Sequence, residues 1–185
     1  NRNEYKFKRG YVSIYPFLLS AGYNTVEGYF FNLRSTYYQN TSSYNFKVTP
    51  WLRYGFSSKR WYPKIEAELS FNYEDPVKVI LEGGSYISQF NRLSPIDPFV
   101  NSLYSLGIEK NYMKIYQREY AKFLVDKELF RGLEFVFSFE VAKRTALFNQ
   151  SFESILGDGS KFTANNPEFP PIISSEEGFD THFAN

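Results

Sequence analysis

The sequence has no cysteine, a single histidine (His182) and no charge imbalance to speak of, with 21 basic and 20 acidic residues giving a net charge of +1. Without cysteine there can be no disulfide, no thiolate nucleophile and no thiolate-bound metal. One histidine leaves no internal Ser-His-Asp triad and no histidine-based metal site. A balanced charge provides no field to draw nucleic acid. No stretch reaches the roughly eighteen consecutive apolar residues of a transmembrane helix, which leaves transmembrane strands open. No enzyme activity, metal, cofactor or nucleic-acid partner is expected.

Aromatic residues are abundant instead. They make up 21% of the chain, with 16 Tyr and 20 Phe, although the hydrophobic fraction is only 43%. Membrane β-barrels combine these properties, because only alternate strand residues meet lipid and the strand ends carry aromatic girdles. Tyr37, Tyr38, Tyr44, Trp61, Tyr62, Tyr73, Tyr112 and Tyr116 lie near expected strand ends and suit such girdles.

Periodicity supports strands. From Leu133 to Val141 one set of alternate positions is wholly apolar (Leu133, Phe135, Phe137, Phe139, Val141), and the other holds Glu134, Val136, Ser138 and Glu140. A period of two sorts these sets onto opposite faces of a strand. The reading expects six long strands at about 25–38, 44–57, 62–74, 77–90, 114–125 and 132–145, with long loops at 91–113 and 146–177. Residues 1–10 read as a lead-in, and 11–19 as an irregular edge strand around Pro16. Pro50 would remove a ladder bond and is expected at a bulge, and Gly83-Gly84 at a bend. In the first long loop, Asp97 caps a short helix with Pro98 at its first position. Phe99, Val100, Leu103 and Leu106 share one helical face, and the helix is expected to fold over or into the lumen with Phe99, Leu103 and Leu106 buried.

The expected fold is all-β, a segment of an antiparallel transmembrane β-barrel that forms part of a larger barrel. Phe46, Val48, Leu52, Ile65, Leu69, Phe71, Leu133, Phe135, Phe137, Phe139 and Val141 are expected to face lipid, and Lys47, Arg53, Glu66, Glu68, Glu134, Ser138 and Glu140 the lumen. Apart from the short second connection at Ser58 to Trp61, loop length follows the alternation seen in bacterial barrels, where one end keeps short turns and the other grows long loops. The expected turns at Gln39 to Ser43, Asp75-Pro76 and Asp126 to Arg131 are short, and the fourth and sixth connections are long. The strands also exceed the roughly 9–11 residues that a tilted strand needs to cross hydrocarbon. Phe179 to Asn185 resemble the opening of a further strand, so the chain is expected to be a piece of a larger polypeptide.

Five motifs, in this order, carry a resemblance: Tyr23-Asn24-Thr25-Val26-Glu27-Gly28, Arg53-Tyr54-Gly55-Phe56-Ser57, Gly83-Gly84 ahead of Gln89-Phe90-Asn91, Asn111-Tyr112-Met113-Lys114-Ile115-Tyr116, and Lys143-Arg144. Together they resemble the C-terminal barrel of an uncharacterised family of Bacteroidota outer-membrane proteins, over most of the chain from Tyr23 to Asn165-Asn166-Pro167. The resemblance implies a bacterial outer-membrane location and a preceding carboxypeptidase-regulatory-like domain. It carries no catalytic residues.

Other chemistry has plainer explanations. Glu66 with Glu68, and Glu134 with Glu140, could pair for acid–base work, but alternating charges on an inward face suit a hydrated lumen better. Gly157-Asp158-Gly159-Ser160 lacks the remaining ligands of a calcium loop. Gly83-Gly84 lacks a phosphate-loop continuation. The expected role is transport, envelope assembly or structural partnership, with outer-membrane lipid, the remaining barrel strands and other outer-membrane proteins as partners. A soluble β-sandwich or lipocalin-like ligand binder is the alternative, and a barrel enzyme acting on lipid or glycan a weaker one.

Overall fold

A computed structural model describes residues 3–16, 20–71, 77–91, 93–130, 132–157 and 161–166. The expectations resting on Tyr73, Asp75-Pro76, Asp158-Gly159-Ser160, Pro167 and residues 178–185 with His182 lie outside these residues.

Among the described residues the fold is all-β with one short helix. The strands are β1 (Asn3–Phe7), β2 (Gly10–Ile14), β3 (Ala21–Asn24), β4 (Gly28–Asn40), β5 (Tyr44–Gly55), β6 (Arg60–Phe71), β7 (Val77–Gln89), β8 (Ile115–Phe130) and β9 (Leu133–Ala146), and the helix is α1 (Pro98–Ile108). One antiparallel sheet contains all nine, in the order β1-β2-β4-β5-β6-β7-β8-β9, with β3 also on β4. β2 pairs with 35–39 of β4 and β3 with 28–31, so the two share one edge of that long strand. No described helix is long and apolar enough to cross a membrane.

Nine strands replace the expected six, for local reasons. The lead-in is β1, whose five residues pair with β2 but are too few for alternation to stand out. The strand expected over 25–38 begins only at Gly28, because residues 25–27 form a turn from β3. There the Asn24 side-chain oxygen accepts from the backbone N–H groups of Val26 (3.0 Å) and Glu27 (2.8 Å), an arrangement that reverses the chain. Gly28 completes the reversal at φ +64°, a conformation costly for a residue with a Cβ. β8 runs on to Phe130, past the turn expected to begin at Asp126.

The bulge expected at Pro50 does not form. Pairing with β6 runs unbroken through Pro50↔Ile65, and pairing with β4 keeps its register on both sides, from Arg34↔Trp51 to Tyr37↔Val48. Proline removes a donor without adding a residue, so the ladder thins but does not slip. A hydrogen bond between the hydroxyls of Thr36 and Thr49 (3.2 Å) bridges the thinned place.

Register separates two faces. Lys47↔Glu68, Thr49↔Glu66, Trp51↔Lys64 and Arg53↔Tyr62 lie on one, and Phe46↔Leu69, Val48↔Ala67 and Pro50↔Ile65 on the other. On β9, Glu134, Ser138 and Glu140 continue the polar face opposite Glu128, Leu124 and Lys122, while Phe135, Phe137, Phe139 and Val141 continue the apolar one. The apolar side chains are solvent-exposed, Phe137 at 48% and Phe139 at 59%.

The small core sits at one end, where the sheet divides. β6–β7 pairing ends at Lys64↔Gly84; beyond it β6 stays on β5 as far as Arg60, and β7 on β8 as far as Gln89. Tyr62 and Ile87, from the two diverging strands, pack with Val26, Met113, Ile115 and Leu147.

Candidate functional site at the loop end

The turn 25–27, the turn 56–59, the α1 connection and the segment after β9 all emerge at this divided end. The polar groups they bury hold them together.

At the centre are Glu27, fully buried, and Arg53, 6% exposed. Arg53 donates from Nε to Glu27 Oε1 (2.8 Å) and from Nη2 to Oε2 (2.5 Å), the two-pronged match of a guanidinium to a carboxylate. Asn24 Nδ2 donates to the same Oε2 (2.6 Å), and the guanidinium lies 3.7 Å from the centre of the Phe30 ring. Burying two charges costs several kcal/mol each, which only a well-made pair with further hydrogen bonds offsets. The backbone closes around the pair, with Ser57 N–H donating to Glu27 O (2.7 Å). At Gly55 an added Cβ would lie 2.8 Å from the Glu27 Cβ, so the turn seats only because that strand position is bare.

α1 begins as its sequence indicates. Asp97 accepts from the N–H groups of Phe99 (2.8 Å) and Val100 (3.1 Å), and Pro98 occupies the first position. The buried face, however, is the reverse of the expected one. Phe99 is 66% and Leu103 59% exposed and Leu106 only half-buried, whereas Asn101, Ser102 and Ser105 are buried. What the helix packs against explains this. Tyr23 N–H donates to Ser102 Oγ (2.8 Å) and Met113 N–H to Asn101 Oδ1 (2.9 Å), and such backbone donors would be stranded against leucine. Asn101 Nδ2 also donates to Asn111 Oδ1 (2.8 Å), and Asn111 Nδ2 to Thr25 Oγ1 (2.6 Å).

The segment after β9 closes the assembly. Gln150 and Ser151 N–H groups both donate to Thr25 O (2.7 and 2.9 Å), and Ile155 N–H to Leu106 O (2.8 Å). Asn165 spans the ends of β8 and β9, accepting from Ile115 N–H (2.9 Å) and donating to the carbonyls of Ile115 and Leu147, both at 2.6 Å. Lys114 donates to Thr163 Oγ1 (2.6 Å) and Ala164 O (2.7 Å), and burial pushes its ammonium down to about 8.

Of the residues expected to face a lumen, Lys47, Glu66 and Glu68 come together, with Lys47 Nζ 3.1 Å from Glu68 and 3.6 Å from Glu66. Glu140 pairs with Arg118 at 3.6 Å, and Lys64 with Glu82 at 3.2 Å. Arg53 stands on that face but is sealed within the cap, and its partner Glu27 lies outside the set expected from the sequence. Glu134 and Ser138 lie exposed on β9. Tyr62 and Tyr116, expected in aromatic girdles, are buried, at 0% and 4% exposure, Tyr62 in the small core and Tyr116 against the Phe90 ring. Among the described residues no group of three or more His, Cys, Asp or Glu could hold a metal ion.

Fold and site thus define an antiparallel β-sheet protein whose loops at one end are held together by a buried ion pair and an asparagine network. Over residues 1–184 the sequence matches the model of the C-terminal domain of a family of unknown function, DUF5686, and the chain belongs to that family. Comparison with curated proteins and with solved structures gives no match.

Proposed function

We propose that the chain is a stretch of wall in an outer-membrane β-barrel of Bacteroidota, with the apolar face against lipid, the charged face lining the interior, and the cap on the extracellular side. One observation carries this reading. Six consecutive strands of 12–16 residues expose Leu, Ile, Val and Phe on one register face while the other face carries ion pairs. In water such a continuous apolar face is a liability that soluble monomers rarely carry, whereas in a bilayer it is required. A soluble ligand binder would need a second layer over these side chains, and among the described residues none covers them. β1 and β9 each keep one edge unpaired among the described residues, so further strands of the same polypeptide complete the wall. A carboxypeptidase-regulatory-like domain precedes the barrel in the full protein.

With the cap latched, the interior is closed at its loop end. That suits a structural or assembly partner in the envelope, or a transporter whose cap must unlatch, better than an open pore. The full-length protein should require detergent for purification and run with heat-modifiable mobility; a soluble monomer without detergent would refute the membrane reading. On intact cells, a cysteine at Leu156, 79% exposed at the cap, should react with an impermeant reagent while one at Ser42 in the opposite turn stays silent. Labelling only at Ser42 inverts the orientation.

A further inference from the structure

Several motif residues meet outside the latch. Phe90, Asn91, Tyr116 and Arg144 line a pocket of about 460 Å³ at the ends of β7, β8 and β9, with Thr145 and Asn166 at its rim. This volume lies within the range of small-molecule sites, roughly 300–1,000 Å³. Its wall is aromatic, with the Phe90 and Tyr116 rings 5.0 Å apart at 58°.

Among the described residues its charge is uncompensated. Arg144 stands directly across from Arg118 in the β8–β9 register, and like charges directly opposite destabilise a sheet. Arg118 has Glu140 at 3.6 Å and lies 3.5 Å from the Tyr120 ring centre. Arg144 has no carboxylate within ion-pair distance among the described residues; it rests 5.7 Å from the centre of the Tyr116 ring. A guanidinium in this setting takes a planar anion through paired N–H donors. The side chains of Asn91, Thr145 and Asn166 match the hydroxyls of a sugar, whereas Leu93 and Ala146 give too short an apolar wall for an acyl chain.

We infer that this pocket binds an acidic saccharide unit, with its carboxylate on Arg144 and its ring against Phe90, which is 46% exposed and backed by the buried Tyr116 ring. The inference rests on one face of the sheet and goes beyond the membrane reading; binding is measured on purified protein, so its failure leaves that reading standing.

Saturation-transfer NMR and calorimetry on the full-length protein, with digalacturonate, neutral digalactose and inorganic phosphate as probes, test it. Digalacturonate should bind, digalactose about tenfold or more weakly, and Arg144→Gln should lose about the same factor as the missing charge. Arg144→Lys, which keeps the charge without the paired donors, should fall between, and Phe90→Ala should weaken both sugars. Unchanged heat-modifiable mobility confirms that each variant is folded. Absence of digalacturonate binding, equal affinity for digalactose, phosphate binding as tightly as the sugar acid, or undiminished binding by folded Arg144→Gln would each overturn the inference.

Discussion

Removing the Glu27 carboxylate should open the cap and leave the sheet intact. In Glu27→Ala the Arg53 guanidinium stays buried with the Phe30 ring and the Tyr86 hydroxyl as its remaining partners. Breaking a buried pair from one side typically costs about 3–5 kcal/mol. The retained ring contact, worth up to about 2 kcal/mol when desolvated, places this case near the lower end. A loss of about 3 kcal/mol raises the open population roughly a hundredfold. Hydrogen exchange in nanodiscs reads this directly. Protection should fall by that factor at Ser57, whose N–H donates to Glu27 O, and at Tyr23 and Met113, whose N–H groups meet α1. It should hold in the β5–β6 ladder near Lys47. Pairing Glu27→Gln with Arg53→Met should cost clearly less than the sum of the single changes, because no lone charge remains. Unchanged protection in Glu27→Ala, or strict additivity in the pair, would show that the ion pair does not hold the cap.

Phe137 tests the apolar face. In a completed barrel Phe137→Arg should weaken folding into vesicles by about 2–4 kcal/mol, while Phe137→Leu and Ser138→Arg leave it nearly unchanged. If Phe137→Leu costs as much as Phe137→Arg, the phenylalanines form a protein core, where lost ring volume leaves a cavity. Lys114 should titrate near 8 in a side-chain NMR experiment, since burial opposes its charge and its acceptors are neutral oxygens. Its folded value lies below the ordinary 10.5, so the unfolded cap binds the extra proton between the two values and cap stability rises with pH from about 8 to 10.5. Lys114→Met should flatten that rise, and a midpoint at the ordinary lysine value would refute the burial argument.

Period-two alternation determined the long strands and their two faces, because a residue on a strand has only two directions to point and β5, β6 and β9 follow the pattern without exception at the positions singled out. Asp97-Pro98 likewise determined where α1 starts, since capping is a contact among residues one to three apart. What α1 buries was decided elsewhere. Its apolar stripe is legible in the sequence, but the unsatisfied N–H groups of Tyr23 and Met113 come from distant segments and demanded the polar side instead. Arg53 could be assigned to a face; its burial depended on a carboxylate 26 residues away, brought over the sheet by the Asn24 turn and admitted by the bare position at Gly55. Local spacing carries no trace of such a meeting. Only the register of β4 on β5, and the parting of β6 from β7, brings the two charges into one dry site.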